Sequence, residues 1–435
     1  MTFAESLSAK QLESLNTRSN LHGSGFESIE SKTDMADHTL IASAELKSNI
    51  QTALELWVHQ QLSLTSVTFT LSLMPLGGDA GFRQYFRVLA SEQFTPPQQK
   101  KQECETADRA LATNTSAVGL RAPQSLLAVY APPQTEDNQR FCDIAELLRA
   151  NGVRAPSILA KDIERGFLLL EDFGSVHLAD RLQENASLYY GEALLSLVKL
   201  QSIPLHLLET IGITSYTERE AKREYDLFQQ WFVDEWLKLK LNRDEKNAIE
   251  QAFYVLFEAF KKQPQVLVHR DYHSRNIMVS GDESLGIIDF QDALIGPACY
   301  DLISLTKDCY VSWPEKMVDN WNLGYAKLAC ASGLFDDDLL YDNDEASEQA
   351  KARAWLEQCD LVGLQRHVKV LGIFTRLAIR DGKQRYLQDL PRVFSYVESM
   401  LSRHRGEHAA LSALSTLLMA KVKPAFSAAM ANVPS

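Results

Sequence analysis

No two of the six cysteines stand as a C-x-x-C pair. Cys104, Cys142, Cys299, Cys309, Cys330 and Cys359 are scattered singly, which gives neither a zinc-ligand spacing nor a compact disulfide framework. Positive charge is also scarce: 44 Lys and Arg against 57 Asp and Glu leave a net charge of -13. That balance argues against a nucleic-acid binder that works by neutralising phosphates, but it leaves room for a nucleotide site, which needs only a few local donors. No apolar run reaches the length of a membrane span, the longest being interrupted by charges. The amino terminus, MTFAESLSAKQLESLNTRSN, has no basic segment followed by an apolar one, so no secretory leader is read there. The expectation is a cytoplasmic protein with no membrane or nucleic-acid partner and no obligate protein partner. With 45% hydrophobic and 23% charged residues, what is present is ordinary globular composition.

The 435 residues suffice for one two-lobed enzyme or for two or three domain-sized units. Residues 1–43, rich in Ser, Glu, Asn and Gly, read as a poorly ordered tail. Ile50, Leu54, Trp57, Val58 and Leu62 recur at helical spacing. SVTFTLSLMPL (66–76) alternates as a strand, glycines at 77, 78 and 81 break it, and Tyr85–Leu89 resumes it. A polar insertion is expected at about 91–123, then a strand at 125–130, a helix from about 139 to 150, and strands at 157–162 and 166–171. From Leu178 the pattern is mostly helical, interrupted by apolar β segments at 266–268 and 285–288. Residues 336–351 form a second, acidic insertion. The fold class is therefore α+β: a small β-rich amino-terminal lobe (44–172) and a larger helical carboxy-terminal lobe (173–435).

The chemistry concentrates in VLVHRDYHSRNIMV (266–279) and LGIIDFQDA (285–293). His269, Asp271 and Asn276 fit the catalytic-loop pattern H-x-D-x-x-x-x-N, and Asp289 follows a short strand. Phosphoryl transfer needs a carboxylate beside the attacking hydroxyl and hard oxygen ligands that hold magnesium across nucleotide phosphates. Asp271 suits the first role; Asn276 and Asp289 suit the second. Taken singly, each residue is equally an ordinary turn or strand-end group. Together, in order and each at a strand end, they demand a context that chance seldom supplies.

These stretches resemble the aminoglycoside phosphotransferase/choline kinase group of the protein-kinase-like fold, in which the D-F-G motif is reduced to its aspartate, here Ile288-Asp289-Phe290. The resemblance implies ATP and Mg2+ as cofactors. It makes Asp301, in GPACYDLISL, a buried support of the catalytic loop beside His269. GGDAGFRQYFRV (77–88), GFLLLEDFG (166–174), REYDLFQQWFV (223–233) and the segment 363–393 narrow it to the family's bacterial kinases of anomeric amino-sugar hydroxyls in cell-wall recycling. On that likeness Gly78 and Arg83 belong to a hairpin over the ATP phosphates, and Leu170 and Glu171 to the adenine-reading hinge. Arg83 reads equally as a phosphate contact or a solvated hairpin arginine. Glu224 is a candidate for sugar hydroxyls, and Trp231 either stacks on the ring or packs in the core.

One departure stands out. The strand that should carry the phosphate-pairing lysine reads Leu127-Ala128-Val129-Tyr130, with Ala128 taken as the vacant position and Glu146 as a candidate for the lysine's usual partner. The substrate reading is a small amino sugar. A lactyl carboxylate on N-acetylmuramate would need a cation or a helix N-terminus. The segment 363–393 is basic, and helical spacing puts Arg366 and Lys369 nearly on one face, yet most of its charges are expected at the surface. Two alternatives stay open: a kinase of another alcohol such as choline, homoserine or an aminoglycoside, and an ATP-binding pseudokinase whose only support is the missing lysine.

Overall fold

The computed structural model describes residues 48–62, 70–77, 82–91, 125–404 and 406–433. The stretch expected as a tail (1–43), residues 92–123 of the first insertion, and Gly78 lie outside the described residues. The chain divides into two compact units, 1–60 and 61–435. Of the first, helix α1 (48–62) is described; it buries Leu54, Trp57 and Val58, as the spacing of its apolar residues requires.

The second unit begins with a five-stranded antiparallel sheet: β1 (Thr70–Leu76), β2 (Gln84–Ser91), β3 (Leu126–Tyr130), β4 (Ile158–Asp162) and β5 (Phe167–Glu171), ordered β1-β2-β3-β5-β4. Helix α2 (Asn138–Ala150) interrupts the strands after β3. Asp137 starts it by accepting a hydrogen bond from the Arg140 amide. Its apolar stripe of Phe141, Ile144, Ala145 and Leu148 shares one core with Val129, Leu168 and Leu170 of the sheet. Because strand side chains alternate, Ala128 points to the opposite face, so the residue that faces α2 where a lysine is expected is Val129. Glu146 is no partner for that position either: it reaches away to Lys161 on β4, at 3.1 Å.

The rest of the unit is helical around two small ribbons. Helices α3 (Leu178–Gln201), α4 (Leu205–Thr210), α5 (Glu218–Leu227) and α6 (Arg243–Lys262) precede β6 (Gln265–Val268), β7 (Ile277–Val279), β8 (Leu285–Ile287) and β9 (Leu294–Pro297). Strand β6 pairs with β9 and β7 with β8, both antiparallel. Strands β7 and β9 are not evident from the sequence; they are three or four residues long and buried on both faces, so no alternation betrays them. Helices α7 (Cys299–Thr306), α8 (Glu315–Ala331), α9 (Glu345–Ile379), α10 (Leu390–Arg403), α11 (Ala409–Leu417) and α12 (Lys423–Met430) complete the chain. The five described cysteines are free and buried.

The acidic stretch 336–351 forms a 3-10 turn at Asp337–Leu339 and then the first turns of α9, whose cap is Asp344. Two glycines set where α9 runs. A Cβ at Gly372 would lie 2.5 Å from the Leu227 carbonyl carbon, and one at Gly363 2.8 Å from an Ile303 methyl. This close approach draws the middle of α9 inside and corrects the expectation of surface charge there: Arg366 is 2% exposed and Lys369 7%. Arg380, one turn beyond the buried stretch, is the exposed kind.

Candidate active site

The site is assembled on the turn between β6 and β7 and on the residue that leaves β8. Asp301, fully buried at the start of α7, accepts the backbone N–H of His269 at 2.6 Å and of Arg270 at 3.0 Å. Burial pushes its carboxyl up to about 7, against the pull of those two donors. Holding both amides lets Arg270 keep a φ of 77°, and Asp289 has a φ of 68°. Non-glycine residues in this region are strained, and here the strain falls in the β6–β7 turn and just after β8.

His269 joins the two halves. Its Nδ1 accepts the Asp271 amide at 3.3 Å, so its Nε2 carries the proton and donates to the Ile288 carbonyl at 2.9 Å. Burial depresses its basicity, consistent with a neutral ring that braces the loop. Asn276 donates from Nδ2 to the Asp271 carbonyl at 3.0 Å and lies 3.4 Å from Asp289 Oδ2. Gln291 donates to Asp289 Oδ1 at 2.8 Å. Asp271, Asn276 and Asp289 are thus brought together from separate strand ends. Asp271 and Asp289 are open to solvent, while the groups that hold them, His269 and Asp301, are buried.

Cations surround Asp271. Crowding by protein works to raise its carboxyl, but Lys369, His273 and Arg366 outweigh it and hold the group below its ordinary value. Lys369 bonds the Tyr300 hydroxyl at 2.8 Å and pairs with Glu224 at 3.0 Å. Arg366 has its Nη1 3.6 Å from Cys309 Sγ, has no acidic partner within salt-bridge distance among the described residues, and leaves its Nε without an acceptor. His273 Nδ1 is likewise buried without a partner.

The remaining residues singled out in the sequence fall as follows. Glu224 is 3% exposed; Tyr216 donates to it at 2.8 Å, Lys369 pairs with it, and Arg270 stands 3.7 Å away. Its carboxylate is thus engaged by the protein's own groups. Trp231 is half-buried in a π-helical continuation of α5, Phe228–Trp236. Leu170 is buried in β5, and the Glu171 side chain turns to Ser157, which donates to it at 2.8 Å, with Arg149 and Arg154 each 3.5 Å away. Arg83 is no solvated arginine: it pairs with Glu136 at 3.1 Å and lies over the Phe141 ring.

Three functional contacts escaped the sequence. Arg87 donates through Nε to Asp172 at 2.6 Å, and Asp172 also takes Ser125 and the Gly174 amide, which latches β2 to the segment that follows β5. Burial works against that carboxylate, but Arg87 and Ser125 keep it below its usual range. Arg140 of α2 donates to the carbonyls of Gln291 and Ala293 at 3.3 and 3.0 Å, which ties the small lobe to the segment after Asp289. Phe141 stacks on Phe290 at 5.0 Å and 18°. The one available signal is arginine within an otherwise apolar strand, at Arg87, and on the rim of an amphipathic helix, at Arg140.

A model of the phosphotransferase enzyme family matches residues 72–340. Two relatives named N-acetylmuramate/N-acetylglucosamine kinase, from Pseudomonas putida and Pseudomonas aeruginosa, are 38% and 36% identical over 300 and 344 residues. These alignments cover 69% and 79% of this chain and 83% and 87% of the relatives. Among solved structures, an ethanolamine kinase of Plasmodium vivax superposes with a TM-score of 0.48 at 12% identity, over 76% of this chain and 81% of its own.

Proposed function

The chain belongs to the phosphotransferase enzyme family, and from that premise we propose that it is an ATP-dependent kinase of the anomeric hydroxyl of N-acetylmuramate and N-acetylglucosamine. The observation that carries this reading is the meeting of Asp271, Asn276 and Asp289 at one solvent-open point, with the turn that bears Asp271 fixed from behind by buried His269 and Asp301. Asp271 orients the sugar hydroxyl and receives its proton as the oxygen bonds to the γ-phosphorus; the leaving group is ADP. The low basicity of its carboxylate suits a role in orientation, since an anomeric hydroxyl is more acidic than other sugar hydroxyls. Arg83, just ahead of β2, is read as facing the phosphates, and the backbone around Leu170 and Glu171 as reading adenine.

Asn276 and Asp289 offer an amide and a carboxylate oxygen, the hard donors that suit magnesium. The Asn276 amide is anchored through Nδ2 on the Asp271 carbonyl, which leaves its Oδ1 for such an ion. When bound, the ion supplies neutralisation of the charge that develops on the transferring phosphoryl group.

The choice of acceptor is supported by the names of the two Pseudomonas relatives and by the buried cations. An arginine withdrawn from solvent with no carboxylate partner is costly unless a ligand completes it. On this reading Arg366, whose Nε lacks an acceptor among the described residues, is the candidate partner of the lactyl carboxylate of N-acetylmuramate, and Trp231, half-buried, is the candidate for stacking on a sugar ring. Glu224, engaged by Lys369 and Tyr216, positions Lys369 and Arg270. A panel of acceptors with MgATP tests this reading: both amino sugars are turned over, and choline, homoserine and aminoglycosides are not. Absence of turnover with either amino sugar overturns the acceptor assignment.

A further inference from the structure

The sheet face that should present a lysine to the nucleotide presents Val129. Side chains on one face of an antiparallel pair sit opposite one another, so Tyr85 and Arg87 of β2 share that face with Val129 and Leu127 of β3. Arg83, two residues before Tyr85, continues the same row. Its guanidinium lies 4.8 Å from the centre of the Phe141 ring and 3.1 Å from Glu136, which sits just ahead of α2. The two side chains are 7% and 16% exposed, and Arg83 Nε has no acceptor among the described residues.

What holds the guanidinium is continuous with what holds Asp289. Phe141, under Arg83, stacks on Phe290, the residue after Asp289, and Arg140 fastens the same turn of α2 to the carbonyls of Gln291 and Ala293. A cation with an acidic partner, fixed by the helix of the small lobe and coupled to the metal-holding aspartate, is what a strand lysine paired with a helix glutamate supplies in protein kinases. Tyr85, opposite Val129 in the register, lies on the same face; burial raises its phenol and Arg83 opposes that rise.

We propose that Arg83, positioned by Glu136 and Phe141, is the cation that binds the nucleotide's diphosphate oxygens, replacing from strand β2 the lysine that β3 lacks. A planar guanidinium has five N–H donors; Glu136 engages Nη2, which leaves donors on the remaining nitrogens for charge-assisted contact with phosphate. The inference rests on the reading of Asp271, Asn276 and Asp289 as a nucleotide phosphotransfer site. Arg83 is a binding residue, and Glu136 and Phe141 act through it.

The test is calorimetric binding of MgADP and of adenosine to the full-length protein and to Arg83→Met, with steady-state KM values for ATP and for the sugar. Arg83→Met weakens MgADP about tenfold or more, as loss of a charge-assisted contact should. Adenosine affinity and the sugar KM stay within about twofold, because neither ligand carries the diphosphate. Adding Val129→Lys to Arg83→Met returns a cation to the usual strand and recovers part of the MgADP affinity. Glu136→Gln, a milder change that keeps Arg83, weakens MgADP by a smaller factor and leaves adenosine unchanged; it decides the matter if Arg83→Met does not fold. Equal loss of MgADP and adenosine, or no loss of either, overturns the assignment while wild type still binds MgADP. A wild type that binds no MgADP overturns the phosphotransfer reading and Arg83 with it.

Discussion

At Asp271 a carboxylate is aimed at solvent, while His269 and Asp301, which fix it, are buried behind it. Asp271→Asn keeps shape and hydrogen bonding but removes the base, and is expected to lower kcat by about two to four orders of magnitude with little change in KM for ATP. Unchanged kcat would show that another group takes the proton. Asp301→Ala acts differently, because it leaves the amides of His269 and Arg270 buried without an acceptor. Each orphaned donor costs about 1–3 kcal/mol, so this variant loses thermal stability as well as activity, which denaturant unfolding followed beside kcat separates from the Asp271→Asn effect. On the acceptor side, Arg366→Met is expected to lower kcat/KM for N-acetylmuramate by about tenfold or more and to spare N-acetylglucosamine, since only the former carries a carboxylate. Equal losses on both sugars would make Arg366 a support of Asp271 instead.

At the scale of elements, the placement of α9 decides whether the carboxy-terminal lobe has an acceptor wall. Gly372→Ala would drive a methyl into the Leu227 backbone, and overpacking of this kind costs about 1–3 kcal/mol. Differential scanning calorimetry of that variant should show a lower Tm, with a raised sugar KM as Arg366 and Lys369 shift; a wild-type Tm would mean the helices part freely. The middle of α9 and the end of α10 are joined by His404, whose Nε2 lies 3.0 Å from Asp360 and Nδ1 2.8 Å from Glu407. Its hydrogen bond to Asp360, together with that to Glu407, raises its basicity against the effect of burial. A raised folded-state value means the stabilisation is complete below the unfolded value of about 6.5 and is lost as pH rises through the folded one. Tm should therefore fall over that window, and His404→Gln should flatten the fall; an unchanged slope would assign it to other groups.

Much at these two scales was legible in the chain. The spacing of His269, Asp271, Asn276 and Asp289 told of one site, and alternating or periodic segments told of β1 to β5 and of α2. Strands β7 and β9 were hidden because three or four buried residues carry no period. The burial of Arg366 and Lys369 was hidden because a charge pattern on a helix says nothing of what packs on it, and only the glycines at 363 and 372 hinted at close neighbours. The face on which the missing lysine should lie was misjudged by one residue, which in a strand reverses the side. Arg140 and the Arg87–Asp172 latch join positions far apart in the chain, beyond what local patterns encode.

Across the whole described catalytic unit, the two lobes meet through a small number of fixed contacts around one charged point. Arg87 holds the segment after β5 through Asp172, Phe173 packs where a side chain at Gly286 would clash at 2.4 Å, and α2 holds the turn after Asp289 through Arg140 and Phe141. Such an arrangement fixes Asp271, Asn276, Asp289 and Arg83 relative to one another before any ligand arrives, which, on the roles proposed for them, is the condition for catalysis by positioning. The account's central claim is that this geometry transfers phosphate to an anomeric oxygen. Phosphorus and proton NMR of the product formed from N-acetylmuramate and MgATP tests it most directly. The account predicts a single phosphate on C1, seen as coupling between phosphorus and the anomeric proton; a phosphate on any other carbon, or none, would contradict it.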